Sequence, residues 1–173
     1  MVTYEDLESC LDQATELYNQ YIEKSTATFH TDKLTQSEFL DMVRNTDAYY
    51  ESYCILYDSI FTGYMYYSPF NPRQAYRRTA EITIYLLPEY HKMGIAEKAL
   101  SFIEDRARKK GVQNMIAKIT AENITSIRFF EKNGYELAGI LKDVGEKFKR
   151  VLSVAIYQKS LVIKKDQTID DQD

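Results

Sequence analysis

The chain has 173 residues, 45% of them hydrophobic and 28% charged, the balance of an ordinary globular protein with enough apolar side chains for one substantial core. A formal net charge of −4 argues against a nucleic-acid-binding surface as its main business. No apolar run approaches the length of a membrane span and no signal-peptide pattern opens the chain. Cys10 and Cys54 lack metal-type spacing and a histidine nearby in sequence, so they are expected to be free, reduced thiols of a cytoplasmic protein. Most of the 15 tyrosines are expected to be half-buried packing residues with a wet hydroxyl.

In chain order, residues 4–23 carry a helical pattern through Leu7, Leu11, Leu17, Tyr18, Tyr21 and Ile22, with Thr3 as its cap and Asp6 three residues on. Thr26–Phe29 is a β-prone patch. Thr35-Gln36-Ser37-Glu38 reads as a capping box opening a helix from Ser37 to about Arg44, broken by Asn45-Thr46-Asp47. Tyr53–Asp58 and Phe61–Ser68 read as a hairpin around Asp58-Ser59, with Gly63 a bulge or a close-packing point. The prolines make Ser68–Arg73 a loop.

Thr79–Leu87 is a strand that sets Ala80, Ile82, Ile84 and Leu86 on one face and Glu81, Thr83 and Tyr85 on the other. Pro88 stops it. From Gly94 the spacing turns helical through Ile95, Ala99, Phe102, Ile103 and Ala107, with basic residues in the last turn and Gly111 as the stop. Val112–Thr120 follows as a strand and Asn123–Lys132 as a short helix closed by Asn133-Gly134. Tyr135–Leu141 and Val151–Leu161 are two further strands, separated by Lys142–Arg150. This order describes one mixed α/β domain over residues 1–163, and the weakly apolar, acidic tail 164–173 is expected to be disordered.

A strand that enters a helix through a glycine-bearing turn leaves unpaired N–H groups aimed at one place, a natural site for an anion and above all a phosphate. A glycine that merely eases a tight turn would leave the same trace. Glu81 is a lone acid in an otherwise uncharged strand shortly before that turn. By spacing alone it is either a catalytic carboxylate or a strand-edge acid facing water.

His91-Lys92-Met93-Gly94-Ile95-Ala96 resembles the Q/R-x-x-G-x-G/A loop of the GNAT acetyltransferases, with His91 where Gln or Arg is usual. The resemblance extends in order over nearly the whole chain and is closest to the phosphinothricin-type N-acetyltransferases. It is carried by Tyr21-Ile22-Glu23 with Thr26–Phe29, by Tyr67–Arg77, by Thr79-Ala80-Glu81 and by Asn123–Arg128. Asn133-Gly134-Tyr135 and Gly145–Arg150 complete it. It implies the GNAT acyl-CoA N-acyltransferase fold, a mostly antiparallel mixed sheet splayed around acetyl-CoA and flanked by helices. Members usually begin with a strand, for which only Met1-Val2-Thr3 remains here, so that strand is expected to be very short or absent.

The resemblance further implies an acetyl-CoA-dependent N-acetyltransferase that uses no metal, with Glu81 as general base. The pantetheine arm would run along Ile84, Tyr85 and Leu86, the pyrophosphate would meet Lys92, Met93, Gly94, Ile95, Ala96 and Glu97, and Asn123 would both cap its helix and contact the arm. The Lys92 charge either helps the phosphate or is simply solvated. Arg73, Tyr76 and Phe29 would hold a small amino-acid-like amine of the phosphinothricin or methionine sulfone and sulfoximine type. Phe130 stands where the family has a tyrosine or histidine, so no general acid is evident. Arg78 replaces a frequent aromatic residue and Ser153 a frequent aspartate. Partners are expected to be a small-molecule amine and a second copy in a homodimer, with no nucleic acid and no membrane. Other acceptors, namely a protein N-terminus, a polyamine or an aminoglycoside, and a non-catalytic acyl-CoA-binding module stay open. The negative net charge favours a cationic acceptor and Arg73 an anionic one.

Overall fold

In the computed structural model, which describes residues 1–44 and 47–162, the chain begins with a strand, β1 (Val2–Asp6). A 3₁₀ turn, Leu7–Cys10, then leads into α1 (Leu11–Lys24). This corrects the reading of a helix from residue 4 with no more than a vestigial strand before it. β1 pairs antiparallel with β2 (Ser52–Tyr57) from Val2↔Tyr57 to Asp6↔Tyr53, and Tyr4 stacks on Phe102 with ring centroids 4.1 Å apart. These partners lie far away in sequence and override the local helical spacing. Thr3 sits inside the strand, and Asp6 is the cap, accepting the Glu8 N–H at 2.9 Å.

α2 (Gln36–Val43) opens on the expected capping box, with the Thr35 hydroxyl accepting the Glu38 N–H and the Glu38 carboxylate accepting the Thr35 N–H. β2 turns into β3 (Ile60–Pro69) through Asp58 and Ser59, both at positive φ, the backbone that matches the twist of a two-residue hairpin. Thr62 is an extra residue in β3 at the register break beside Ile55. Gly63 is required by close approach, because a Cβ there would lie 2.2 Å from the Tyr85 carbonyl oxygen on the next strand.

That strand is β4 (Thr79–Leu86), followed by a proline-started 3₁₀ turn, Pro88–Tyr90, and α3 (Ile95–Lys109). β5 (Asn114–Thr120), α4 (Ile124–Lys132), β6 (Glu136–Lys147) and β7 (Arg150–Ser160) complete the chain. The seven strands form one sheet in the order β1-β2-β3-β4-β5-β7-β6, antiparallel except between β4 and β5. Alternate residues serve two cores. Ala80, Ile82 and Leu86 pack with α3 residues Ile95, Ala99 and Ile103, whereas Tyr64 and Phe61 pack with Leu17, Tyr18, Ile22 and Phe39 of α1 and α2.

Two further expectations change. Residues 142–147 continue β6 and do not form a separate connection, because the register jumps from Leu141↔Val154 to Gly145↔Leu152 and the three residues between bulge outward. Ser153 fills the gap opposite the bulge and accepts the Asp143 N–H. The cysteines are not free: the 3₁₀ turn lies on β2, and Cys10 and Cys54 are joined as a disulfide with Cα atoms 6.3 Å apart. Most of the tyrosines are half-buried, and five, namely Tyr18, Tyr64, Tyr67, Tyr135 and Tyr157, are buried outright. The tail expected to be disordered lies outside the described residues, as do Asn45 and Thr46.

Candidate active site

The pairing of β4 with β5 runs only from Thr79↔Asn114 to Glu81↔Ile116. Beyond that point no ladder joins the two strands, and a cleft of about 900 Å³ opens between the end of β4, the start of α3, and α4. A strand that loses its neighbour turns alternate N–H and C=O groups towards the gap. Ile84, Tyr85 and Leu86 line it from the strand, and the Leu86 carbonyl accepts the Tyr21 hydroxyl at 2.8 Å and lies 3.3 Å from His91 Nε2.

The helix start forms the next wall. Lys92 and Gly94 both have positive φ, and Gly94 is the N-cap of α3 with no side chain capping the helix. Nothing lies within 4 Å of where a Gly94 Cβ would be, so the backbone conformation and not crowding calls for glycine here. Lys92, Gly94, Ala96 and Glu97 line the cleft. Met93 and Ile95 do not. The Met93 side chain is turned to solvent and the Ile95 side chain is buried in the core, so these two could offer only backbone N–H groups. Asn123 lines the cleft and caps α4, accepting the Ser126 N–H at 3.1 Å.

The opposite wall is residues 25–27, overlapping a stretch that the sequence marks as a β-prone patch and a family block without saying what holds it. This segment is held by side chains from three later parts of the chain. Buried Lys147 donates to the carbonyls of Ser25 at 2.7 Å and Thr28 at 2.8 Å, and its own burial pushes its ammonium pKa below the usual lysine value. The Thr120 hydroxyl donates to the Thr26 carbonyl, and the Thr26 hydroxyl donates to Glu122, which Arg150 grips with its guanidinium. The Tyr85 hydroxyl donates to the Ala27 carbonyl at 3.1 Å. Phe29 lies against the backbone of Gly145, where a Cβ would be 2.3 Å from its ring. The run Gly145-x-Lys147-x-x-Arg150 is therefore a clamp on this wall, and its only trace in the sequence was the family block.

Glu81 stands at the fork, at the last paired position of β4 and outside the large cleft proper. Its Oε2 lies 2.6 Å from Lys118 Nζ, and the lysine is 5.8 Å from the Phe70 ring, which in turn meets Tyr76 edge-on at 5.8 Å. Tyr76 thus stands two side chains from Glu81. Arg73 is exposed, its N–H bonded to Asn71, and the Phe29 ring lies against Gly145 of β6.

Phe130 lines the cleft and packs edge-on against Tyr135 with centroids 4.9 Å apart. The Tyr135 hydroxyl is buried and donates to Glu104, which also binds Lys159, so it is committed behind the ring. Burial raises its pKa well above the ordinary tyrosine value. Tyr21 is the phenol that reaches the cleft from α1, and burial raises its pKa too. Thr125, Arg128, Phe129 and Lys132 also line the cleft from α4 and were not expected as site residues. Amphipathic spacing in α4 announces its core face but not its cleft face.

The profile of the acetyltransferase (GNAT) domain matches residues 2–153. The chain belongs to the GNAT acetyltransferases. Phosphinothricin N-acetyltransferase of Streptomyces viridochromogenes is 26% identical over 144 residues, 83% of this chain and 79% of that one. L-methionine sulfoximine/L-methionine sulfone acetyltransferase of Salmonella typhimurium is 30% identical over 155 residues, 85% and 86% of the two chains. The solved GNAT superfamily phosphinothricin acetyltransferase of Sinorhizobium meliloti, in complex with AcCoA, superposes with a TM-score of 0.86 at 31% identity, covering 92% of this chain and 88% of that one.

The protein is an acetyltransferase enzyme with the expected mixed α/β fold, and acetyl-CoA is its cosubstrate. The cleft suits that molecule on two independent counts. An uncapped helix start with a left-handed glycine suits a diphosphate, and a strand edge stripped of its ladder suits an amide-bearing arm. Among the described residues no helix is long and apolar enough to cross a membrane.

Proposed function

We propose that this enzyme transfers the acetyl group of acetyl-CoA directly to the primary amine of a small amino-acid-like acceptor, with Glu81 as general base. The observation that carries this reading is the fork, where a lone carboxylate sits at the last residue before β4 and β5 part. The acceptor class is supported by the relatives' names, which are enzymes for phosphinothricin and for methionine sulfoximine and sulfone.

Acetyl-CoA supplies the activated acyl carbon when bound. The chain supplies the rest. The N–H groups from Lys92 to Glu97 and the positive end of α3 would hold the diphosphate, and the free edge of Ile84–Leu86, with Asn123 across the gap, would hold the arm. Glu81 attracts the acceptor ammonium and takes its proton, which frees the nitrogen lone pair for attack. Phe130 has no proton to give and the Tyr135 hydroxyl is engaged with Glu104. The departing thiolate, with an ordinary pKa near 8.5, takes its proton from solvent. Arg73, Tyr76 and Phe29 would approach the acceptor.

We also propose that the enzyme is a homodimer joined through β6, the sheet edge that leaves Leu137, Ile140, Leu141 and Val144 about half exposed.

Thiol release over a panel of amines tests the function. Phosphinothricin and methionine sulfone should be turned over well ahead of spermidine, kanamycin or an alanine-led peptide. Glu81→Gln should lower the rate at neutral pH by roughly 10²- to 10⁴-fold while acetyl-CoA affinity is retained. Turnover of the polyamine or peptide alone would overturn the acceptor assignment, and an unchanged rate in Glu81→Gln would remove it from the mechanism.

A further inference from the structure

One cation within the sheet is left without a role by the reading above. β5 is an interior strand between β4 and β7, and Lys118 is its single exposed residue. A lysine is tolerated there because its neighbour has moved away. A continued ladder would have set Thr83 beside it, but pairing stops at Glu81↔Ile116 and Lys118 faces the fork. Its Nζ lies 2.6 Å from Glu81 Oε2, with the lysine side chain 40% and the glutamate side chain 25% exposed. The pair is therefore partly buried and still within reach of a ligand from solvent.

We propose that Lys118 anchors the carboxylate of the acceptor, so that the Glu81–Lys118 pair selects zwitterionic α-amino acids. The inference rests on the amino-acid reading of the acceptor. An α-amino acid carries its ammonium and carboxylate on one carbon. It can lie alongside the pair in the opposite sense, ammonium on Glu81 and carboxylate on Lys118, so that each charge exchanges one partner for an equivalent one and none is left alone at the fork. A simple amine would engage Glu81 and strip Lys118 of its counter-charge. A polyamine would bring a further cation against it. The lysine therefore favours one class of acceptor and rejects two others. The same geometry sets the reacting nitrogen on the base, since the carboxylate fixes which way round the acceptor lies.

The test compares methionine sulfone with its decarboxylated analogue, 3-(methylsulfonyl)propan-1-amine, by initial rates of thiol release. The wild-type enzyme should prefer the amino acid. Lys118→Met should shrink the ratio of the two kcat/KM values by roughly 10- to 100-fold, the range for one lost charge-assisted hydrogen bond, chiefly through the KM of the amino acid. Lys118→Arg should retain more of the preference than Lys118→Met. A lysine that merely tuned Glu81 would lower both substrates alike and leave the ratio unchanged, and that result would overturn the proposal. So would a ratio that collapses in Arg73→Gln and survives in Lys118→Met. Lys118→Gln repeats the measurement should the methionine variant fold poorly, with acetyl-CoA affinity as the control for an intact cleft. A wild-type enzyme that shows no preference for the amino acid would overturn the acceptor reading itself, and the role of Lys118 with it. That failure is visible before any variant is made.

Discussion

One wall of the cleft comes from a single continuous run, in which β4 ends, a proline starts a short turn, Gly94 takes a left-handed conformation and α3 begins. The facing wall, residues 25–27 of a segment without regular structure that runs on to Phe29, is held through that segment by Thr120, Glu122, Gly145, Lys147 and Arg150. The first wall is made by local rules of strand, turn and cap. The second is made by contacts that span about a hundred residues of chain, so it can fail through a substitution far away while its own residues are intact. The contrast assigns a role to each side: the local wall would carry the cosubstrate, and the clamped wall shapes what lies beside it.

Gly94→Asp should give the largest effect. It forces an L residue to a φ of +73° and sets a negative charge at the helix start. Acetyl-CoA affinity by calorimetry should fall at least ~100-fold with little change in Tm; normal binding would move the cosubstrate elsewhere.

Lys147→Met should leave the Ser25 and Thr28 carbonyls without their donor and cost about 2–4 kcal/mol in denaturant unfolding. An unchanged stability would mean that the wall is not clamped. Gly145→Ala should push the Phe29 ring aside at about 1–3 kcal/mol, with a raised acceptor KM and near-normal acetyl-CoA affinity. Equal damage to both substrates would erase the distinction between the walls.

The smallest effect concerns acid. The Glu122 carboxyl is held below its usual 4.5 by Arg150 first and then by the Thr26 hydroxyl. A carboxyl lowered in the folded state contributes stability above pH 4.5 that is lost as pH falls through its folded value. Arg150→Met should lower stability slightly at neutral pH and converge with the wild type as pH falls well below 4.5, which flattens the acid limb of the stability curve.

Much of the local wall was legible beforehand. The alternation in Thr79–Leu86, the stop at Pro88, the glycine at 94 and the apolar spacing of α3 each act within a few residues. The capping box at Thr35 and the turn at Asp58-Ser59 were readable for the same reason. The start of the chain was misread because Leu7 and Leu11 keep helical spacing while Val2–Asp6 answers to β2. The Cys10–Cys54 bond was misread because the pairing depends on where the 3₁₀ turn lands on β2. Family blocks marked Gly145–Arg150 as notable without saying what it grips.

The sequence by itself determined the family, the run of elements from β4 through α3 and the glycine turn that opens α3, because turn chemistry and side-chain periodicity are short-range. Only the tertiary structure decided where β4 and β5 part. That point depends on the register Glu81↔Ile116 between strands joined by a helix, and it sets Lys118 against Glu81 at the fork. No spacing along the chain encodes such a meeting, since it follows from how two strands diverge once their cores are packed.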